Sequence, residues 1–101
     1  MYVVIFRARV RELDPEYATM AAQLRQRALE EFGCLAFHAV TEGADEIALS
    51  YWPDLDSIRT WKADAEHRVA QQFGRQRWYE AYEVQIAQVV REYRRHEGAR
   101  Q

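Results

Sequence analysis

Apolar positions alternate along some segments of the chain and recur every three or four residues along others. Residues 2–10, YVVIFRARV, alternate: Tyr2, Val4, Phe6, Ala8 and Val10 fall on one face, Val3, Ile5, Arg7 and Arg9 on the other. β-Branched and aromatic residues dominate. The pattern predicts a strand that is apolar throughout on one face and only at its start on the other. "LDPEY" then opens a helix, with Asp14 able to cap it and Pro15 suited to the first helical position. Tyr17, Met20, Ala21, Leu24 and Ala28 follow at helical spacing, Leu29 and Phe32 widen the stripe, and Gly33 suits its end. Residues 34–42 and 46–52 predict two more strands, joined through "EGAD", which has hairpin-loop chemistry. After "WPDLDS", Asp54 or Asp56 can cap a second helix that carries Ile58 and Trp61 on one face and runs, with a break, to Phe73. "GRQRWYEAY" reads as a transition, and residues 82 to about 93, with Val84, Ile86, Val89 and Val90, as the last strand.

The order β-α-β-β-α-β predicts an α+β, ferredoxin-like sandwich. Its sheet is four-stranded and antiparallel, and both helices cross on one face because such crossovers are right-handed. The other face retains apolar residues in "YVVI", "EIAL" and "VQIAQVV". An exposed apolar sheet implies a partner, so the pattern predicts an obligate homodimer formed by sheet–sheet packing.

Composition narrows function more than fold. The 101 residues make one domain. A net charge of −2 gives no general attraction to nucleic acid or anionic membrane. The arginines of residues 91–100 are interrupted by Glu92 and Glu97, and no nucleic-acid motif accompanies them. The single cysteine, Cys34, cannot form an internal disulfide or a cysteine-based zinc site, and it suits a reducing cytoplasm. It reads as a small buried hydrophobe. The N-terminal run lacks a basic n-region and a cleavage site, and no apolar stretch approaches the ~20 residues of a membrane span. Carboxylate clusters, glycine-rich phosphate loops, nucleophile elbows and HExxH spacings are absent from the sequence, so no metal, nucleotide or flavin site is expected.

The element order, "ALSYW" before an acidic helix start, "SIRTWK", "AEHRVAQQFGRQRWYEAYEV" and the closing "VREY" resemble the antibiotic biosynthesis monooxygenase (ABM) domain family. The resemblance covers residues 1–95 and leaves 96–101 as a polar tail. It implies a dimeric α+β barrel, with a pocket between the sheet and the helices of each subunit. It also implies one of two activities. One is cofactor-independent oxygenation of small electron-rich aromatics, such as quinols and anthrones, whose own electrons reduce O2. The other is heme binding or degradation, with a histidine on the iron. A non-enzymatic dimeric module binding a small ligand is the third reading. The family's pocket tryptophan on the second helix matches Trp61. The asparagine that active relatives place on the first strand, or one turn before that tryptophan, has no counterpart, because the chain contains no asparagine. Phe6 or Arg7, and Ser57, stand at those positions.

Each candidate has a structural reading beside the functional one. Trp61 is a core tryptophan or a pocket wall. His67 is an exposed histidine beside a carboxylate, or the base that takes a phenolic proton, or an axial ligand for heme. Six residues of unbroken helix set it about 120° from Trp61, so the two share a cavity only if the helix breaks. His38 lies in the pocket or in the sheet–sheet interface, according to which face of its strand meets the helices. Arg75 is the candidate stabiliser of a phenolate. Trp78 and Tyr79 make a packed corner or stack on a planar ligand. One of Tyr51 and Trp52 faces the helices and joins Trp61, with Ser57 nearby.

Overall fold

β1 (Tyr2–Val10) lies inside the sheet, paired on one side with β3 (Asp45–Trp52) and on the other with β4 (Tyr79–Gln88). β2 (Ala36–Glu42) pairs with the outer side of β3. The order is β2-β3-β1-β4, and every pair is antiparallel. α1 (Pro15–Glu31) and α2 (Leu55–Phe73) cover one face, which completes the α+β ferredoxin-like sandwich. This computed structural model describes residues 1–11, 15–73 and 79–95, with 70–73 described by backbone alone.

Register decides which side chains meet the helices. Val4 lies opposite Ser50 and Ile86, Phe6 opposite Ala48 and Val84, and Ala8 opposite Glu46 and Tyr82. These share the helix side, because successive strand residues alternate between faces. Ile5 opposite Leu49 and Gln85, Arg7 opposite Ile47 and Glu83, and His38 opposite Leu49 share the helix-free side.

The β2–β3 connection is two residues, Gly43 and Ala44. Gly43 has φ 60° and no other residue type takes a positive φ among the described residues, so the turn is of type II′. α1 ends before Gly33, at φ 80°, and the Cys34 N–H donates to the Ala28 carbonyl at 3.0 Å. That helix exit occupies residues 34 and 35, so β2 starts at Ala36 rather than at Cys34. Asp54 caps α2 by accepting from the Ser57 N–H at 2.7 Å.

Two further boundaries differ from the sequence pattern. α2 is unbroken, since nothing from Trp61 to Phe73 is glycine or proline. β4 starts at Tyr79, three residues early, because Tyr79 pairs with Val10 across a bulge; it ends at Gln88. Beyond it, Val89 still donates to the Met1 carbonyl at 3.0 Å.

The core has two clusters. One holds Val4, Ala28, Cys34, Trp52 and Ile58, with Phe37 and Trp61 against it; the other holds Val10, Tyr17 and Met20, with Leu24, Val69 and Tyr79 against it. Arg27 joins the helices through Nε to Asp64 Oδ2 at 3.2 Å and Nη2 to Oδ1 at 3.3 Å.

Candidate active site

The helix side of the sheet concentrates the aromatic residues. At the α2 end of the first cluster, Trp61 lies 5.3 Å from Trp52 between ring centroids and 6.2 Å from Phe37. Trp52 is fully buried, and its indole N–H donates to the buried Ser50 hydroxyl at 2.9 Å. The Trp61 indole N–H donates to the Leu24 carbonyl of α1 at 3.2 Å. Both indole donors are therefore satisfied within the chain, Trp52 is closed off in the core, and only half-buried Trp61 keeps ring surface outside it.

A second aromatic group occupies the other end. Phe6 stacks near Tyr82 at 6.0 Å and meets Tyr79 edge-on at 5.4 Å, and Tyr79 meets Tyr17 edge-on at 5.6 Å. Among the described residues the helices cover β4 only at Tyr79, which meets Tyr17 of α1. Tyr82 is 66% exposed, Ile86 49% and Val84 38%, although all three face the helix side. With half-buried Phe6 they make an open apolar shelf.

Polar groups edge this shelf. Tyr17 donates to Glu46 Oε2 in a short hydrogen bond, and the Tyr79 hydroxyl donates to that of Tyr17 at 3.3 Å. Burial pushes the Tyr17 hydroxyl far above the ordinary tyrosine range, and the bond to Glu46 adds to this. Burial also pushes the Tyr79 hydroxyl up, against the lowering effect of its bond to Tyr17.

The structure brings together some of the residues singled out in the sequence and separates others. Trp52 and Trp61 meet, and Trp52 rather than Tyr51 faces the helices. Tyr51 and His38 lie on the helix-free side. Ser57 is half-buried one turn before Trp61, and its N–H and hydroxyl hold the Asp54 carboxyl below its ordinary value, so it serves the helix cap. Tyr79 sits in the second cluster, away from the tryptophans. Because α2 is unbroken, His67 and Trp61 do not share a site: His67 is exposed, two residues from half-buried Ala65 and Val69 and so on the outer side of the helix. Arg75 and Trp78 lie outside the described residues. Cys34 is buried, and burial pushes its thiol up.

Sequence reading passed over Tyr17 and Glu46 as site residues. Tyr17 was one more member of an apolar helix stripe. Glu46 carried a signal, since it shares the face of its strand with Ala48, Ser50 and Trp52. No group of three or more His, Cys, Asp or Glu among the described residues is placed to hold a metal ion. No helix among them is long and apolar enough to cross a membrane.

This sheet, with both helices on an aromatic-lined side, is the ABM fold. SnoaB, a cofactor-independent oxygenase from Streptomyces nogalater, matches it with a TM-score of 0.68 over 90% of this chain and 94% of SnoaB, at 12% identity. A variant of MhuD with two manganese protoporphyrin IX molecules bound per active site matches with a TM-score of 0.66 over 92% and 98%, at 13% identity. At such identities the likeness is one of fold. No protein-family model matches the chain. The chain has the fold of antibiotic biosynthesis monooxygenase domain proteins. Among relatives in sequence, the uncharacterized protein YqjZ of Bacillus subtilis is 36% identical over 92 residues, 90% of this chain and 81% of YqjZ. Jasmonate monooxygenase ABM of Pyricularia oryzae is 29% identical over 104 positions; the match spans 99% of this chain but 48% of that protein, about half its length.

Proposed function

We propose that the protein is a cofactor-independent monooxygenase acting with O2 on a small electron-rich aromatic of the quinol or anthrone type. The observation that carries this reading is the open apolar shelf of Phe6, Tyr82, Val84 and Ile86 on the helix side, edged by phenolic hydroxyls. A planar ring laid there is bound by aromatic contact and partly removed from water. The electrons come from the substrate. An anthrone methylene becoming a carbonyl gives up four electrons, one oxygen atom enters the product and the other leaves as water, so no reductant is required. The chain contributes orientation, desolvation and proton transfer. Trp61 packs against Trp52 and Phe37 at the opposite end and supports the fold around the shelf rather than lining it, and Arg75, four residues before Tyr79 in sequence, is proposed to stabilise a phenolate. We also infer a homodimer in which the helix-free faces pack together and bury Val40, Ile47 and Leu49.

Heme does not fit the described residues. His38 lies on the helix-free side and His67 on the outer side of α2, so neither offers an imidazole to the shelf. No step is assigned to it.

Oxygen uptake by the purified protein, with a panel of hydroquinones and anthrones and no added cofactor, tests the reading. Uptake above the uncatalysed rate is expected, with kcat/KM about tenfold lower in Tyr82→Ala, a loss near 1.4 kcal/mol of transition-state binding. No uptake and no binding across the panel would overturn it.

A further inference from the structure

The edge of the shelf is a chain of hydrogen bonds with a fixed direction. An ionised carboxylate only accepts, so Glu46 commits the Tyr17 proton to itself. The Tyr17 oxygen then accepts, and the Tyr79 hydroxyl donates to it. The Tyr79 oxygen receives no hydrogen bond from any other described residue, and its ring lies 5.8 Å from that of Tyr82 on the shelf. The order is therefore shelf, Tyr79, Tyr17, Glu46. Tyr17 is buried and Tyr79 and Glu46 are half-buried, so the chain runs from a tyrosine whose ring borders the shelf to a carboxylate that solvent can reach. Both phenols hold their protons at neutral pH because burial disfavours the tyrosinate. A proton wire needs such neutral, hydrogen-bonded hydroxyls.

We propose that Tyr79, Tyr17 and Glu46 form a proton relay that carries the hydroxyl proton of a shelf-bound phenol to the Glu46 carboxylate. This rests on the oxygenase reading for its biological use, but the relay can be tested without turnover. In the proposed reaction an electron passes from the bound phenol to O2 as the phenolic O–H bond breaks. The phenolic proton joins Tyr79, the Tyr79 proton joins Tyr17, and the Tyr17 proton joins Glu46. The products are a neutral phenoxyl radical, superoxide and a neutral Glu46 carboxylic acid, so the single negative charge moves from Glu46 to oxygen. Glu46 then returns its proton to water. Tyr79 is the catalytic residue of this relay, and Tyr17 and Glu46 act through it.

The test uses 2-naphthol, whose hydroxyl becomes strongly acidic on optical excitation and whose ionised form emits at a separate wavelength. The full-length protein is titrated with 2-naphthol, and the emission of the bound dye is compared in wild type, Glu46→Gln and Tyr17→Phe. Both substitutions keep side-chain shape, and circular dichroism checks that both variants fold. The relay predicts similar 2-naphthol affinity in all three, naphtholate emission from the wild type, and its loss in each variant. Naphtholate emission that survives in both variants would overturn the relay, because water would then be the acceptor. Failure of 2-naphthol to bind would overturn the shelf and the relay together. Proton transfer to Glu46 in a protein that consumes no oxygen would sustain the relay and refute the oxygenase. Where uptake is measurable, Glu46→Gln should lower kcat about 100-fold with KM little changed, and combining it with Tyr17→Phe should cost nothing more.

Discussion

Replacing Ser50 by alanine removes one oxygen from the most enclosed part of the molecule. Ser50 is 3% exposed and Trp52 0%, and the 2.9 Å bond between them satisfies the indole N–H. Without its acceptor that N–H has no partner in a dry core, which costs about 1–3 kcal/mol. For a domain of this length each kcal/mol lowers Tm by roughly 4–8 °C. Trp52→Phe strands the Ser50 hydroxyl instead, at a similar cost. It also leaves a cavity of a few tens of cubic ångströms, worth about 1 kcal/mol more. The double variant has neither orphan and keeps only the cavity. It should therefore be more stable than the sum of the single effects predicts by the two orphan penalties together, roughly 2–6 kcal/mol. Urea denaturation followed by circular dichroism measures all four proteins, at one protomer concentration because association shifts apparent stability. Strictly additive losses would refute the reasoning, since they would mean that water reaches each stranded group.

Three further outcomes follow from single contacts. Burial raises the Asp64 carboxyl, but the hydrogen bonds and charges of Arg27 and Arg68 outweigh it and hold the group below its ordinary value. A lowered folded value contributes stability above the unfolded carboxyl's value near 3.9, and that contribution is lost as pH falls through the lower folded value. Asp64→Asn should thus destabilise at pH 7, and its gap from wild type should close in acid below about pH 4; a gap unchanged to pH 2 in urea titrations contradicts this. Gly43 has open space where a Cβ would sit, so Gly43→Ala should cost only the positive-φ backbone penalty of about 1–2 kcal/mol, and Gly43→Asn less, as thermal melts would show. Ile5→Glu places a charge at the centre of the helix-free face. Light scattering should find a dimer in wild type and a monomer in the variant, and a wild-type mass of one protomer refutes sheet–sheet packing.

Local pattern carried much of the fold because β1 and α1 announce their buried faces by period. The alternation of residues 2–10 survives in the burial of Val4, Ala8 and Val10, and the stripe Tyr17, Met20, Ala28 in the burial of α1. The site was less legible, for two reasons. A pairing of Trp61 with His67 required a break that "WKADAEH" has no residue to impose, and helix geometry keeps His67 outward. Glu46 is the reverse case. A carboxylate on the helix-facing side of a strand is costly unless something bonds it, so its parity alone said that a donor had to come from the helix layer. Which donor depended on how α1 crosses the sheet, a tertiary relation that no local period encodes. The register sets Glu46 opposite the small Ala8, at the end of the sheet where α1 begins. Tyr17, in the first turn of that helix, is the residue that reaches it, and Tyr79 joins because β4 starts early enough to place it beside Val10. Parity could single out Glu46, but the residues that bond it emerge only from the packing of α1 and β4.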